Sequence, residues 1–335
     1  MCRREGFIII KYKVDVSPFF LGPLPDPHVM AAGEALRHHR PQPGISKLLH
    51  GIQAFRIVDS KFGRVPFGSV LSYQCPPEIG RDIIKHPGCF EFPKLPIDSY
   101  SFISDFNFVP TYKQQCHLVS LQVTRELSAS IEKETQNQSQ CALWTQVRKP
   151  RLTASRFREV CFVRGESSAK ALAARMLKGV RQTADMKRGL DREPEILRRY
   201  AESFDVSVTQ CGVVIHPDSP HLGASPDGKV YDPQETPPFG LAEVKSCGVE
   251  YLTQVQHLEK ANSKFSLRKT HRFYYQVQGQ LAVSGLKWCD FITDTNTEFA
   301  VERIFRDDVL IQSMRHKLDS FYYNVFMDVF LSSSQ

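Results

Sequence analysis

Three charged residues in the second half of the chain are spaced for phosphoester chemistry. In Leu241-Ala242-Glu243-Val244-Lys245 a strand period of two sends Glu243 and Lys245 to one face and Ala242 and Val244 to the other. A carboxylate and an ammonium then stand side by side. Upstream, Ser225-Pro226-Asp227-Gly228 reads as a turn: proline presets one backbone dihedral, glycine admits a positive one, and Asp227 is presented at the head of the next strand. Asp followed by Glu-x-Lys is the set that metal-dependent phosphodiester cleavage needs. Two hard carboxylates hold Mg²⁺, with Mn²⁺ as a substitute, the ion lowers the pKa of a bound water, and the lysine orients that water or balances charge. Each half also has a plainer reading, an ordinary turn and a surface ion pair. Glu193 adds weight to the chemical one. On a helix through residues 190 to 204, Leu190, Leu197, Tyr200 and Phe204 form an apolar stripe and Glu193 lies on it, while Glu195, Arg198, Arg199 and Glu202 take the wet side. An inward carboxylate needs a partner or a cation. The alternative is a helix end, because Pro194 suits a first turn and kinks an interior one. Gln276 and Gln280, four residues apart between Phe273 and Val283, put two amides on one helix face, where they serve a polar site or pair in the core.

The elements that must position these residues follow from periodicity. Helices are expected over 153–163, 167–178, 185–204, 271–284 and 307–331, and strands over 206–216, 229–231, 241–246, 288–293 and 299–305. Helices before, between and after a run of strands predict an α/β or α+β domain, a mixed sheet covered on its faces. The front third differs. Thirteen of the 21 prolines precede residue 111, among short apolar runs such as 7–10 and 102–109, so residues 1–111 read as a separate region of loops and short strands. Residues 112–142 read as an amphipathic helix and a hinge, and 143–335 as the main domain. The net charge is +7, but between Arg148 and Arg199 there are 15 Lys or Arg against 6 Asp or Glu. A second basic cluster comprises Lys260, Lys264, Arg268, Lys269 and Arg272. Such concentrations bind phosphate backbones, the competing reading being solvated helix faces. No apolar run is long enough to cross a bilayer, so no membrane partner is expected. The nine cysteines are odd in number and form no C-x-x-C, which predicts reduced thiols in the nucleus or cytoplasm and leaves an iron–sulfur nuclease without a ligand set.

Taken together, Trp144-x-x-x-Arg148, Leu152-Thr153-Ala154-Ser155, Gly189-x-x-x-Glu193, Ser225-Pro226-Asp227-Gly228, Glu243-Val244-Lys245 and Tyr275-Gln276-Val277-Gln278, in this order, resemble the YqaJ-type viral recombinase family, which includes the phage lambda exonuclease. The resemblance covers about residues 140–330. It implies a PD-(D/E)xK, restriction-endonuclease-like core. It implies that Asp227 and Glu243 bind catalytic metals, that Lys245 is the active-site lysine, that Glu193 lies near a second metal and that Gln276 supports the site. It also implies that Arg148 and Ser155 hold the 5′ phosphate of the digested strand. The expected activity is a 5′-to-3′ exonuclease on double-stranded DNA ends, serving recombination or repair, with a homo-oligomer, a trimer, and a single-strand annealing protein as partners. A structure-specific or sequence-specific endonuclease and a non-catalytic DNA-binding module are the competing readings. The chain departs from the phage enzyme at Pro194, in the loop Asp232–Gly240 and in the insert-like 249–270.

Overall fold

The computed structural model describes residues 8–11, 57–60, 63–66, 90–179, 183–261 and 264–333. Met1–Tyr12 and Gly80–Gln335 form one compact unit, Lys13–Ile79 a second. The first unit begins with β1 (Ile8–Lys11). The described part of the second is an antiparallel pair, β2 (Ile57–Ser60) and β3 (Gly63–Pro66), with Val58 opposite Val65. The first unit then continues through α1 (Tyr112–Leu121), α2 (Arg125–Glu134), α3 (Ala142–Arg148), β4 (Leu152–Thr153), α4 (Phe157–Phe162), α5 (Glu166–Lys178) and α6 (Ala184–Phe204). Next come β5 (Ser207–Thr209), β6 (Leu222–Gly223), β7 (Gly228–Tyr231), β8 (Phe239–Ser246), β9 (Leu258–Ala261) and β10 (Lys264–Leu267). The chain ends in α7 (Arg272–Ser284), β11 (Trp288–Asp294), β12 (Glu298–Phe305), α8 (Asp308–Phe321), a π-helical turn Tyr322–Phe326 and α9 (Met327–Ser333).

Six strands make the main sheet in the order β1-β12-β11-β8-β7-β5. It is mixed: β8 runs parallel to β11 and antiparallel to β7. The alternation expected in β8 holds. Ala242 and Val244 pack with Ile196, Leu197 and Tyr200 of α6, while Leu241 belongs to the core formed with α4, α5, α7 and α8. Helices therefore cover both faces, and the α/β reading with a sheet flanked by helices stands. The ends of α7 explain its reach. His271 caps its first turn by accepting from Phe273 N–H, and Gly285 ends it with φ +80°. Midway, Gly279 lets the helix approach Phe157 so closely that a Cβ there would lie 2.5 Å from the ring.

Several expectations need correction. The front third is not one separate region: β1 edges the main sheet against β12, and Leu95 and Phe102 are buried in the main core. Residues 102–109, one of the short apolar runs, carry no strand. They are held by side chains instead. Arg315 Nη1–H and Ser219 O–H donate to Phe102 O at 2.9 and 2.6 Å, and Phe102 N–H donates to Asp218 Oδ2 at 2.8 Å. The helix expected across 112–142 is two, because Thr124 caps a new start at α2. The expected hinge falls where Gln138 Nε2 donates to Cys211 O and Pro226 O at 3.1 and 2.9 Å. The strand expected over 206–216 shortens to β5 plus a bridge between Val214 and Ala224. The insert at 249–270 forms the β9–β10 hairpin, fastened to β12 where Leu267 N–H donates to Glu302 Oε2 at 2.7 Å. Pro194 lies inside α6 rather than at its start, and Arg199, assigned to the wet side, pairs with buried Asp294 beside Arg192. The basic stretch is thinner than its sequence implies, since Arg156, Lys170, Arg175, Arg188, Arg192, Arg198 and Arg199 are in ion pairs. Among the described residues the cysteines are free thiols, and no helix is long and apolar enough to cross a membrane.

Candidate active site

Asp227, Glu243 and Lys245 meet where β7 and β8 run side by side. Gly228 stands opposite Ala242 in the register. Asp227 N–H donates to Ala242 O at 3.1 Å, and Val244 N–H donates to Asp227 Oδ2 at 2.7 Å, which ties the Asp227 carboxylate to the strand that carries Glu243 and Lys245. The turn before it is held from behind by Gln138 on Pro226 O and by Trp144, whose indole N–H donates to Ser225 Oγ at 2.9 Å.

Glu243 is 1% exposed and both its oxygens are engaged. Oε1 accepts from Lys245 Nζ and from Gln276 Nε2, the latter at 2.6 Å; Oε2 accepts from Gln280 Nε2 at 2.6 Å. The two amides come from successive turns of α7, as their spacing of four predicts. Lys245 Nζ also sits 4.8 Å from the centre of the Phe273 ring. Burial pulls the Lys245 ammonium down, but Glu243 and Asp227 outweigh it and hold it above its ordinary range. Lys245 is therefore charged at neutral pH.

Glu193, half-buried on α6, completes the group electrostatically. Burial, with Glu243's charge adding and Lys245 opposing, pushes its carboxyl up to about 7. Asp227 is held well above the usual carboxylate range by burial and by the charges of Glu193 and Glu243, against Lys245 and the Val244 N–H. Three carboxylates thus share one ammonium. Nearby His257 is pushed down to about 3 by burial and by the charges of His271, Lys245 and Arg272, so it contributes no positive charge at neutral pH. Among the described residues no three His, Cys, Asp or Glu side chains converge as a ready metal cage. The donors nonetheless fit a hard divalent cation: they are carboxylate oxygens, and their uncompensated repulsion is what such a charge relieves.

Arg148 is the last residue of α3, and Ser155 lies in the 3-10 turn Ala154–Arg156 that follows β4. The Arg148 guanidinium carbon is 3.5 Å from the Trp144 ring centre, and its Nε is buried without a hydrogen-bond partner. Burial, then the charge of Arg156, lowers it to about 10. Ser155 is exposed, its Oγ 3.4 Å from Thr153 Oγ1, and among the described residues no hydrogen bond joins it to Arg148. The structure thus brings Asp227, Glu243, Lys245 and Gln276 into one bonded group with Glu193 beside it, and does not bring Arg148 and Ser155 into contact. Sequence reasoning passed over Gln138 and left Gln280 between two roles. The i, i+4 amide spacing was the signal for Gln280, and nothing local marks Gln138.

Residues 143–287 match the YqaJ-like viral recombinase domain family. No curated protein sequence matches the chain. Among solved structures, an alkaline exonuclease (LHK-Exo) from Laribacter hongkongensis aligns at 27% identity over 57% of this chain and 94% of that one, with a TM-score of 0.42. The Shutoff and Exonuclease Protein from Kaposi's sarcoma associated herpesvirus aligns at 10% identity over 67% of this chain and 77% of that one, TM-score 0.39, and a SOX–DNA complex at 11% over 61% and 72%, TM-score 0.43. Arg148, Ser155, Glu193, Asp227, Glu243, Lys245 and Gln276 all fall between residues 143 and 287, the stretch that is similar to the YqaJ-like viral recombinase domain family.

Proposed function

We propose that this protein is a metal-dependent deoxyribonuclease, a 5′-to-3′ exonuclease acting on the ends of double-stranded DNA in recombination or repair. The observation that carries the reading is the imbalance at the site: Glu193, Asp227 and Glu243 lie around the ammonium of Lys245, and burial together with the neighbouring carboxylate charges raises the proton affinity of Glu193 and Asp227. A non-catalytic DNA-binding module has no use for such an acidic pocket, which repels phosphate. Asp227, Glu243 and Glu193 would hold Mg²⁺ or Mn²⁺, which supplies Lewis acidity at the phosphoryl oxygens and a water of lowered pKa. Gln276 and Lys245 fix the Glu243 carboxylate. Lys245, already protonated, acts as a donor that orients the water and offsets charge gathering on phosphorus, not as a base. The water oxygen would attack phosphorus and give its proton to solvent while the bond to the leaving oxygen breaks and that oxygen takes up a proton from solvent. Arg148, with one N–H unused, and Ser155 would receive the 5′ phosphate, a doubly hydrogen-bonding guanidinium being suited to a dianion. A homotrimer, a single-strand annealing partner and a nuclear or cytoplasmic location belong to the same proposal.

The test is an end-labelled linear duplex beside a covalently closed circle, each with Mg²⁺ or with EDTA. The expected result is release of nucleotides from the 5′ ends of the linear duplex only, and only with metal. Cutting of the closed circle would make the protein an endonuclease, and no cutting of either would leave a binding module.

A further inference from the structure

Gln280 stands one turn beyond Gln276 on α7 and is 1% exposed. Its Nε2 donates to Glu243 Oε2 at 2.6 Å, but its own Oε1 is buried without a hydrogen-bond partner. A buried acceptor left unpaired disfavours the fold relative to an apolar side chain of similar shape, so methionine would serve packing better at this position. What the amide provides is direction. With Gln276 on Oε1, Gln280 on Oε2 and Lys245 also on Oε1, the carboxylate cannot turn about its last torsion without breaking a charge-assisted hydrogen bond. Nor can α7 drift, because Gly279, between the two amides, already lies against Phe157.

We propose that Gln280 is a positioning residue that fixes the plane of the Glu243 carboxylate toward a divalent cation, an inference that rests on the metal-dependent reading above. The test uses the full chain carrying Gln280→Met, which keeps the volume and removes the donor, and Gln280→Asn, which keeps the amide but is one methylene too short. Calorimetric titration with Ca²⁺ alone reads metal affinity without turnover. A group that orients a ligand from behind is worth roughly 10- to 100-fold in metal affinity or activity. Both variants are expected to bind Ca²⁺ at least about tenfold more weakly, to lose kcat on linear duplex with KM for DNA unchanged, and to unfold in EDTA near the parent's temperature. Parent-like Ca²⁺ affinity and kcat in either folded variant would overturn the assignment, as would a loss confined to KM. A parent protein that neither binds Ca²⁺ nor cuts DNA would overturn the nuclease reading itself, which keeps the two failures apart.

Discussion

Replacing Glu193 by glutamine separates electrostatics from packing, because the amide copies the shape of the protonated acid and carries no charge at any pH. In the folded protein burial and the charge of Glu243 raise the Glu193 carboxyl from 4.5 to about 7. At pH 8 the parent must hold it ionised, at an unfavourable free energy of about 3 kcal/mol for a displacement of that size. Its half-buried position leaves some water in reach, so this is an upper bound. A raised acid pKa means that the folded state binds more protons than the unfolded one between about pH 4.5 and 7, so the stability of metal-free parent falls with rising pH across that window and levels off above it. Glu193→Gln lacks this fall, and removing its charge also eases Asp227, which pushes in the same direction. In EDTA the variant should match the parent near pH 4.5 and exceed it by up to about 3 kcal/mol at pH 8. Urea unfolding followed by the fluorescence of Trp144 and Trp288, the two tryptophans of the chain, reads the difference. If the two pH profiles superimpose from 4.5 to 8, Glu193 does not belong to the buried acidic group and the three-carboxylate reading is wrong. Mg²⁺ should stabilise the parent more than the variant at pH 8, because the cation competes with the proton for the same oxygens.

Asp227→Ala and Glu243→Ala are expected to reduce cleavage to background while DNA binding, followed by fluorescence anisotropy, is retained or tightened, since each removes a negative charge near phosphate. Lys245→Arg should lose most activity in the same end-label assay, because a planar fork cannot take the place of a compact ammonium against Glu243 and Phe273. Arg148→Ala should erase a preference for 5′-phosphorylated over 5′-hydroxyl ends, read as the ratio of initial rates at matched salt; equal rates on both ends in the parent would remove the pocket. A chain beginning at Tyr112 should unfold well below the full chain's temperature, having lost the burial of Leu95 and Phe102, about 1.5–3 kcal/mol each. It would also leave Arg315 and Ser219 without the Phe102 carbonyl.

How far the sequence could be read depended on whether an element's signal was local. β8 was legible because alternation in five residues states which side chains share a face, and the structure puts Ala242 and Val244 on the α6 side as that rule requires. The amides of α7 were legible in position but not in direction. A spacing of four places two residues on one face without saying what stands opposite, and only the parallel pairing of β8 with β11, with Phe291 beside Glu243, brings the carboxylate beneath them. The front third was misread for the opposite reason. Its proline content marks absence of regular structure, which is true of residues 93–110, yet irregular backbone can still be core when side chains meet its polar groups. Arg125 supplies donors to the carbonyls of Ile97 and Tyr100 at 3.1 and 3.2 Å, as Arg315 does for Phe102. Such partners lie up to 213 residues away in sequence, beyond any window of periodicity.

The charges around the site pose a problem that the proposed mechanism has to solve. Exposed Lys260, Lys264, Arg268, Lys269 and Arg272 lie on and after the β9–β10 hairpin, and Arg158 joins this side by donating to Thr270 O at 2.7 Å. On the proposed reading these cations would draw in a phosphate backbone, whereas Asp227, Glu193 and Glu243 would repel any phosphate that reaches Lys245. Attraction at the rim and repulsion at the centre allow DNA to be held without being cut. Two events can lift the repulsion. A proton on Glu193 does so below about pH 7, but it also occupies a carboxylate oxygen that the chemistry needs. A divalent cation lifts it while leaving those oxygens engaged in catalysis, so on this reading acid and metal both tighten DNA binding and only metal brings cleavage.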